Sequence, residues 1–427
     1  KLRLFLKLVS LLEPGDDIEP LPDIDFNIRH GNTLVGYATA DETERAVKGD
    51  NQGKTFNLFS DAWEDIRLRL VAVEQQYDNF QIQQVQRGGH VSAQDKQALT
   101  DTLHDLEETL NYHLAREYGV DPTKTKKYEE WKLNHKPFHW YVDFHPLMRA
   151  GGFDVIIGNP PWKEYAAVKK YYRVIGYDTI ESGNLYGICI ERAFQIGHND
   201  SHTSFIVQLP LASASRMQTM RSFIESKSAD LWVATFDDRP GRLFEGLQHC
   251  RSTIFISQKG ETTGLPPTSS RYQRWPSEAR REMIACLRLA RYDWPSAPEG
   301  AWPKVDDSWI ASTLLKLLVH ESLPIERERK RVESKHFVYY QEAAQYWIKA
   351  TSHLPYYAKN NEEATPSHGR WLYFDTAAHA AVASAILNSN LFYVWFVAFG
   401  DCFHVTDTLV SAFPVPDGAW ADSELVA

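Results

Sequence analysis

The stretch that most constrains the fold is Phe153-Asp154-Val155-Ile156-Ile157-Gly158-Asn159-Pro160-Pro161-Trp162, an apolar run of strand length stopped by an amide, two prolines and a tryptophan. Each proline fixes its own φ, donates no backbone hydrogen bond and pushes the residue before it out of the helical region. Asn159 and Pro160 are therefore extended, and the loop is stiff. A stiff loop presents the Asn159 side-chain oxygen and the Pro160 carbonyl as two fixed acceptors, one for each N–H of a planar exocyclic amine. The lone pair of such an amine is delocalised into its ring. Drawing both hydrogens toward acceptors favours the pyramidal nitrogen that attacks a methyl group and stabilises the charge developing there. Trp162 supplies a face for the ring. The plainer alternative is a turn that closes a strand; the apolar strand and the acidic Asp154 ahead of the loop supply the context the chemical reading needs.

Around this loop, strand and helix patterns alternate. A helix is expected around Tyr186 to Ile196, a strand over Ser204 to Leu209, a helix from Ser215 carrying Arg216 and Arg221, then strands over Leu231 to Phe236 and Ser252 to Ser257. Alternation of this kind predicts an α/β fold with a mostly parallel sheet covered on both faces, the Asn159 loop lying at a strand's carboxyl end, where open α/β sheets bind ligands. Residues 1–40 read as a helix, a Pro-rich link and a short strand, Phe26 to Ile28, entering the Gly31-Asn32 turn; the sheet resumes at residue 138, where Phe138 to Phe144 alternates aromatic and polar residues. Between these pieces, Trp63, Ile66, Leu70, Val73, Tyr77 and Phe80 recur at three and four, as do Leu103, Leu106, Leu110 and Leu114, which predicts two amphipathic helices turning at Gly88-Gly89. Their faces are acidic as often as basic, so the hairpin reads as a structural arm more than a DNA clamp.

Near residue 258 the composition shifts to Thr262-Thr263-Gly264-Leu265-Pro266-Pro267, a domain boundary. The chain thus divides into 1–40, the first part of a core; 41–136, a helical hairpin insertion; 137–260, the core with the Asn159 loop; and 261–427, a linker and recognition region. In the last part, Trp371 to Phe374 reads as a strand, Ala377 to Asn388 as an Ala-rich helix, and Phe392 to Phe399 as an aromatic run.

Composition narrows the class. No run of eighteen or so apolar residues and no signal-peptide pattern appears, which argues against a membrane or secreted protein, and 43% hydrophobic residues suffice for a real core. Cys189, Cys250, Cys286 and Cys402 stand far apart and read as reduced, mostly buried thiols of a cytoplasmic chain. The 16 histidines form no zinc pattern, and no metal is expected; His139 and His145 read as structural. A net charge of −10 argues against nucleic acid by itself, yet Lys163, Lys169, Lys170, Arg173, Arg216, Arg221, Arg239, Arg242 and Arg251 gather around the proposed site. The run Glu326 to Arg331 adds another basic cluster, although an Arg/Glu run is more often a solvated helix face.

The Asn-Pro-Pro-Trp loop resembles that of amino methyltransferases that use S-adenosylmethionine, and among them the N6-adenine DNA methyltransferases of large restriction-modification and phage-exclusion systems. The resemblance extends to Pro22 through Gly36, Gly183-Asn184-Leu185-Tyr186, Arg239 through Gly246, Asn388 through Tyr393 and Gly400 through His404, in the family's order. It implies a Rossmann-like S-adenosylmethionine-dependent methyltransferase sheet with a helical insertion and a C-terminal target-recognition region. It further implies double-stranded DNA as substrate, a target adenine rotated out of the stack, and other subunits or domains of a restriction or phage-defence system as partners. Residue by residue, Asn159, Pro160, Pro161 and Trp162 would be catalytic, with Asn159 also on the cofactor. Phe244 would sandwich the base with Trp162, a buried loop phenylalanine being the equal alternative. Asn32, Thr33 and Leu34 would touch the cofactor, Asn32 standing where the family usually has an aspartate; an ordinary turn is the even alternative. Lys163, Arg216, Arg239, Arg242, Tyr393, Phe403 and His404 would meet DNA, whereas Trp395 and Phe396 fit helix packing at least as well.

One departure matters. The family's glycine-rich cofactor loop and the acidic residue after it do not lie upstream of Pro22, and no Gly-x-Gly follows a strand elsewhere, so circular permutation does not restore them. Lys1 to Val9 reads as a helix already under way, which predicts a piece of a longer polypeptide that binds cofactor weakly or not at all by itself. Two rivals stand beside the DNA reading: methylation of a protein glutamine amide, also a planar amine, and a non-catalytic recognition or scaffold polypeptide.

Overall fold

The computed structural model describes residues 6–7, 9–10, 26–49, 60–86, 91–244, 250–295, 297–319, 322–344, 346–366 and 368–421. Most of the expected Lys1 to Val9 helix, the Pro22 to Asp25 part of the first family block, the Gly88-Gly89 turn and residues 245–249 of the Arg239 loop lie outside the described residues. The chain forms two compact units: residues 1–155, 163–178 and 183–201 make one, and residues 156–162, 179–182 and 202–427 the other.

The first unit is helical. Helix α1 (Ala40–Lys48) starts at a reciprocal cap, Thr39 Oγ1 accepting from the Glu42 amide at 3.2 Å while Glu42 accepts from the Ala38 amide at 2.6 Å. Helices α2 (Ser60–Gln86) and α3 (Ala93–Glu117), the latter capped by Ser92, are the expected amphipathic pair. Ile66, Leu70, Val73, Tyr77 and Phe80 on one and Leu99, Leu103, Leu106, Leu110 and Leu114 on the other are buried, as the three-and-four spacing requires. Helix α4 (Thr125–His135) follows.

Two expected strands are absent here. Phe26 sits in a turn, buried edge-to-face on Tyr77 and Phe80, and Asn32 makes only a single parallel bridge to Pro137. Phe138 to Phe144, whose alternation suggested a strand, winds into a helical turn at Trp140–Asp143. Aromatic packing among Phe138, Trp140, Phe144 and Phe153, not a sheet ladder, produces its pattern.

Strands β1 (Phe153–Gly158), β2 (Gly197–Gln208), β3 (Ser228–Phe236), β4 (Ser252–Lys259) and β5 (Thr268–Gln273) form a sheet in the order β1-β2-β4-β3-β5. Helix α5 (Leu185–Ile196) leads into β2, and helix α6 (Gln218–Lys227) into β3. A Cβ on Gly152 would meet Ile196 O and one on Gly158 the Phe205 ring, so β1 and β2 run the same way. β3 and β5 are parallel, but β4 runs antiparallel to both β2 and β3. The chain is therefore α/β with a mixed sheet, correcting the mostly parallel one expected: among the described residues between β3 and β4 there is no crossover helix, and β4 runs antiparallel to β3.

The two faces are covered unequally. Phe205, Val207, Val233 and Phe255 are buried on one; on the other, Ala234 and Phe236 pack with Trp275 and Met283, while Ile157 is 79% and Ile256 41% exposed. The Thr/Gly/Pro-rich stretch at 262–267 leads directly into β5.

Further along the second unit, β6 (His336–Gln341), β7 (Ala350–Thr351) and β8 (Gly369–Phe374) form an antiparallel sheet. Helices α7 (Ala377–Leu387) and α8 (Asn390–Phe399) pack in the same core, where Val338, Leu372, Phe392, Trp395 and Phe396 are fully buried. Trp395 and Phe396 are thus packing residues, and the Trp395 indole donates to Leu409 O. Among the described residues no single helix is long and apolar enough to cross a membrane. Of the cysteines, all unpaired, only Cys402 is buried and Cys286 is exposed, which corrects the mostly buried expectation.

Candidate active site

The Asn159 loop leaves β1 at its carboxyl end, as expected. Gly158 lets the strand close on β2, since a Cβ there would lie 2.8 Å from Phe205 Cε1. Asn159 is exposed, Pro160 buried and Pro161 exposed. Trp162 is half-buried, and its indole N–H donates to Ile206 O at 3.2 Å. The loop is thus tethered at its aromatic end and braced by a buried proline, with Asn159 exposed between them and β1.

Immediately downstream, exposed Lys163 accepts through its carbonyl from the Leu185 amide at 2.9 Å, and Tyr165 N donates to Gly183 O at 2.8 Å. Gly183 has φ +71°, and Asn184 caps α5 by accepting from Tyr186 N at 3.3 Å. The Gly183-Asn184-Leu185-Tyr186 block therefore pairs with the segment that follows the loop, which gives its glycine and asparagine a physical role.

Past β3, Asp237 and Asp238 are buried. Arg251 lies 3.4 Å from Asp237 and 3.8 Å from Asp238, donates to Tyr272 Oη at 2.8 Å and stands over the Phe403 ring; Arg274 Nε reaches Asp237 at 2.8 Å. Arg239, Arg242 and Phe244 lie partly or wholly open to solvent. Phe244, 38% exposed, is not the buried loop phenylalanine of the plainer alternative. Tyr393 is half-buried and takes a hydrogen bond from Arg274. Phe403 is half-buried; exposed His404 bonds Asp401 at 2.7 Å, and that bond raises its pKa above the usual imidazole range. Arg216 is exposed, but Arg221 is buried, its guanidinium donating to the carbonyls of Leu211, Ala214, Glu299 and Gly300. Arg221 and Arg251 are therefore internal clamps rather than phosphate contacts.

In the other unit, Asn32 Oδ1 accepts from Leu34 N at 3.2 Å, the local turn geometry of an Asx residue. The Thr33 carbonyl takes the Trp140 indole N–H and the Leu34 carbonyl the Tyr177 hydroxyl.

The sequence profile of the Eco57I restriction-modification methylases matches residues 1–239, more than half of the chain. The chain belongs to the Eco57I restriction-modification methylase family. A protein of Methanocaldococcus jannaschii, named as a candidate type II restriction enzyme and methyltransferase, is 26% identical over 263 residues, 53% of this chain and 22% of that protein. The chain thus spans about a fifth of the length of the curated relative it matches. Among solved structures, the ATP-dependent Type ISP restriction-modification enzyme LlaBIII bound to DNA is similar at 11% identity and TM-score 0.30, over 80% of this chain and 26% of that one. A nuclease-deletion mutant of the Type ISP enzyme LlaGI, in complex with a DNA substrate mimic, is similar at 11% identity and TM-score 0.31, over 64% and 29%.

In this Eco57I-family chain, sequence reasoning missed Asp237, Asp238, Tyr272 and Arg274. The available signal was an acidic pair directly after an apolar strand, with arginines opening β4 and closing β5. His139 and His145 are structural as expected: His139 Nδ1 accepts from Tyr37 N, its Nε2 meets Asn111 Oδ1, and complete burial pushes its pKa down to about 3.

Proposed function

We propose that this chain carries the target-base pocket of a site-specific DNA methyltransferase that transfers a methyl group from S-adenosylmethionine to N6 of an adenine rotated out of duplex DNA, within a restriction-modification or phage-defence system. The observation that carries this reading is the Asn159 to Trp162 loop, tethered through Trp162 and with Asn159 exposed, in a chain of the Eco57I family.

Asn159 Oδ1 and the Pro160 carbonyl accept from the two N6 hydrogens and favour the pyramidal nitrogen; Trp162 and Phe244 bracket the ring. Because the two prolines and the Trp162 tether hold the loop backbone, placing these acceptors costs little at the moment of reaction. The proton leaves after nitrogen becomes cationic, so no base with a shifted pKa is required. Lys163, Arg216, Arg239, Arg242, Tyr393, Phe403 and His404 are assigned to the DNA, and residues 261–427 to target recognition. S-adenosylmethionine, when bound, supplies the electrophilic methyl. Asn32, Thr33 and Leu34 fit its adenine end to this extent: the Asn32 oxygen, although engaged by Leu34 N, has a second lone pair for an amine.

The test is labelled transfer in the whole polypeptide from S-adenosylmethionine to duplex DNA or to protein, followed by nucleoside analysis. N6-methyladenine supports the proposal. Label in protein glutamine favours the amide reading, and no transfer, together with no thermal stabilisation by S-adenosylmethionine, favours a recognition polypeptide.

A further inference from the structure

We propose that Tyr346 is a preformed stacking platform for a nucleobase displaced from the duplex; the inference rests on the DNA reading above. Tyr346 is 50% and its neighbour Trp347 63% exposed, two adjacent large rings left open to water. Yet Tyr346 is not loosely held. The guanidinium carbon of Arg274 lies 5.5 Å from its ring centroid and 5.4 Å from that of Tyr272, so one cation packs on two phenol rings. Arg274 is itself fixed by the buried Asp237 at 2.8 Å and by its bond to Tyr393. The backbone just ahead of Tyr346 is tied down too, Ala344 N donating to Phe403 O at 2.9 Å and Ala343 bridging His404.

Charge supplies the second argument. Trp275, next to Arg274, accepts from Gly241 N at 2.8 Å, and this joins the segment holding half-buried Arg239, 4.0 Å from Asp238, and exposed Arg242 to the Arg274 segment. An aromatic face held rigid beside arginines is the arrangement that accepts a base on the ring and its phosphate on the cations. Paired bases cover their faces with their neighbours, so only a base out of the stack has a face to offer. Ordering the ring during folding removes that entropy cost from binding.

The experiment uses the chain as described and fluorescein-labelled duplexes, one with a single unpaired thymine bulge and one fully paired, read by anisotropy. The wild type prefers the bulge; Tyr346→Ala weakens bulge binding about tenfold and Tyr346→Phe restores it. A 5-iodouracil at the bulge crosslinks to the peptide holding Tyr346. Equal affinity of wild type and Tyr346→Ala, no preference for the bulge, or a crosslink confined to the Trp162 or Phe244 peptides overturns the platform. Those outcomes leave the methyl-transfer reading standing, because that reading is tested separately, by labelled transfer in the whole polypeptide and its loss in Asn159 variants.

Discussion

Trp162 donates its indole N–H to the main-chain oxygen of Ile206 at 3.2 Å, which fixes the aromatic residue of the Asn-Pro-Pro-Trp loop to the neighbouring strand β2. Replacing Trp162 by phenylalanine keeps a ring but removes the tether. A loss of about 1 kcal/mol in denaturant unfolding is expected. Trp162→Ala also removes the ring face, so 2-aminopurine fluorescence, which reports an extruded base, should fall for the alanine variant well below that of the phenylalanine variant.

Gly158 has no room for a methyl group against Phe205. Gly158→Ala should cost about 1–3 kcal/mol through overpacking. Combining it with Phe205→Leu should recover part of that loss in the same unfolding assay; strict additivity of the two losses would show that the contact is not the cause.

His139 is neutral and buried, with a pKa pushed from 6.5 down to about 3 by desolvation and, secondarily, by Arg192. A depressed folded-state value favours the neutral ring, so its contribution to stability is complete above about 6.5 and declines as pH falls toward 3, by roughly 1.4 kcal/mol per pH unit at most. Histidine NMR titration should show one imidazole that stays neutral at pH 5. A resonance for His139 that titrates near 6.5 would refute the assignment.

Asp143 behaves in the opposite sense. Burial, and then the neighbouring Glu107, push its carboxyl up to about 7, with Arg29 3.6 Å away opposing them. A raised value favours the protonated form, so stability is greatest below the ordinary carboxylate range and declines as pH rises through 7. Asp143→Asn should therefore raise Tm relative to wild type at pH 8 and give no such gain at pH 5.

Local patterns were legible where one periodicity ruled. The α2 and α3 hairpin, α5, and strands β2 to β4 follow from spacing because each buries one stripe or one run, whereas β1 forms from its apolar run although none of its residues is buried. Phe138 to Phe144 misled because aromatic clustering and strand alternation look alike in a short window. The direction of β4 was visible only as a missing crossover helix. At the site, Asn159 to Trp162 stood out because two prolines leave few backbone choices. The Asp237, Arg251, Arg274 and Tyr272 cluster did not, since its members lie far apart in sequence and only the sheet edge brings them together.

The central claim is that the Asn159 carboxamide grips the amine that is methylated. Its most direct test is single-turnover methyl transfer from labelled S-adenosylmethionine to duplex DNA in the whole polypeptide, comparing wild type with Asn159→Ala. Losing one partner of the developing charge predicts a rate lower by about 100-fold or more, with duplex affinity unchanged because Asn159 is an exposed loop residue. Transfer at the wild-type rate would contradict the account.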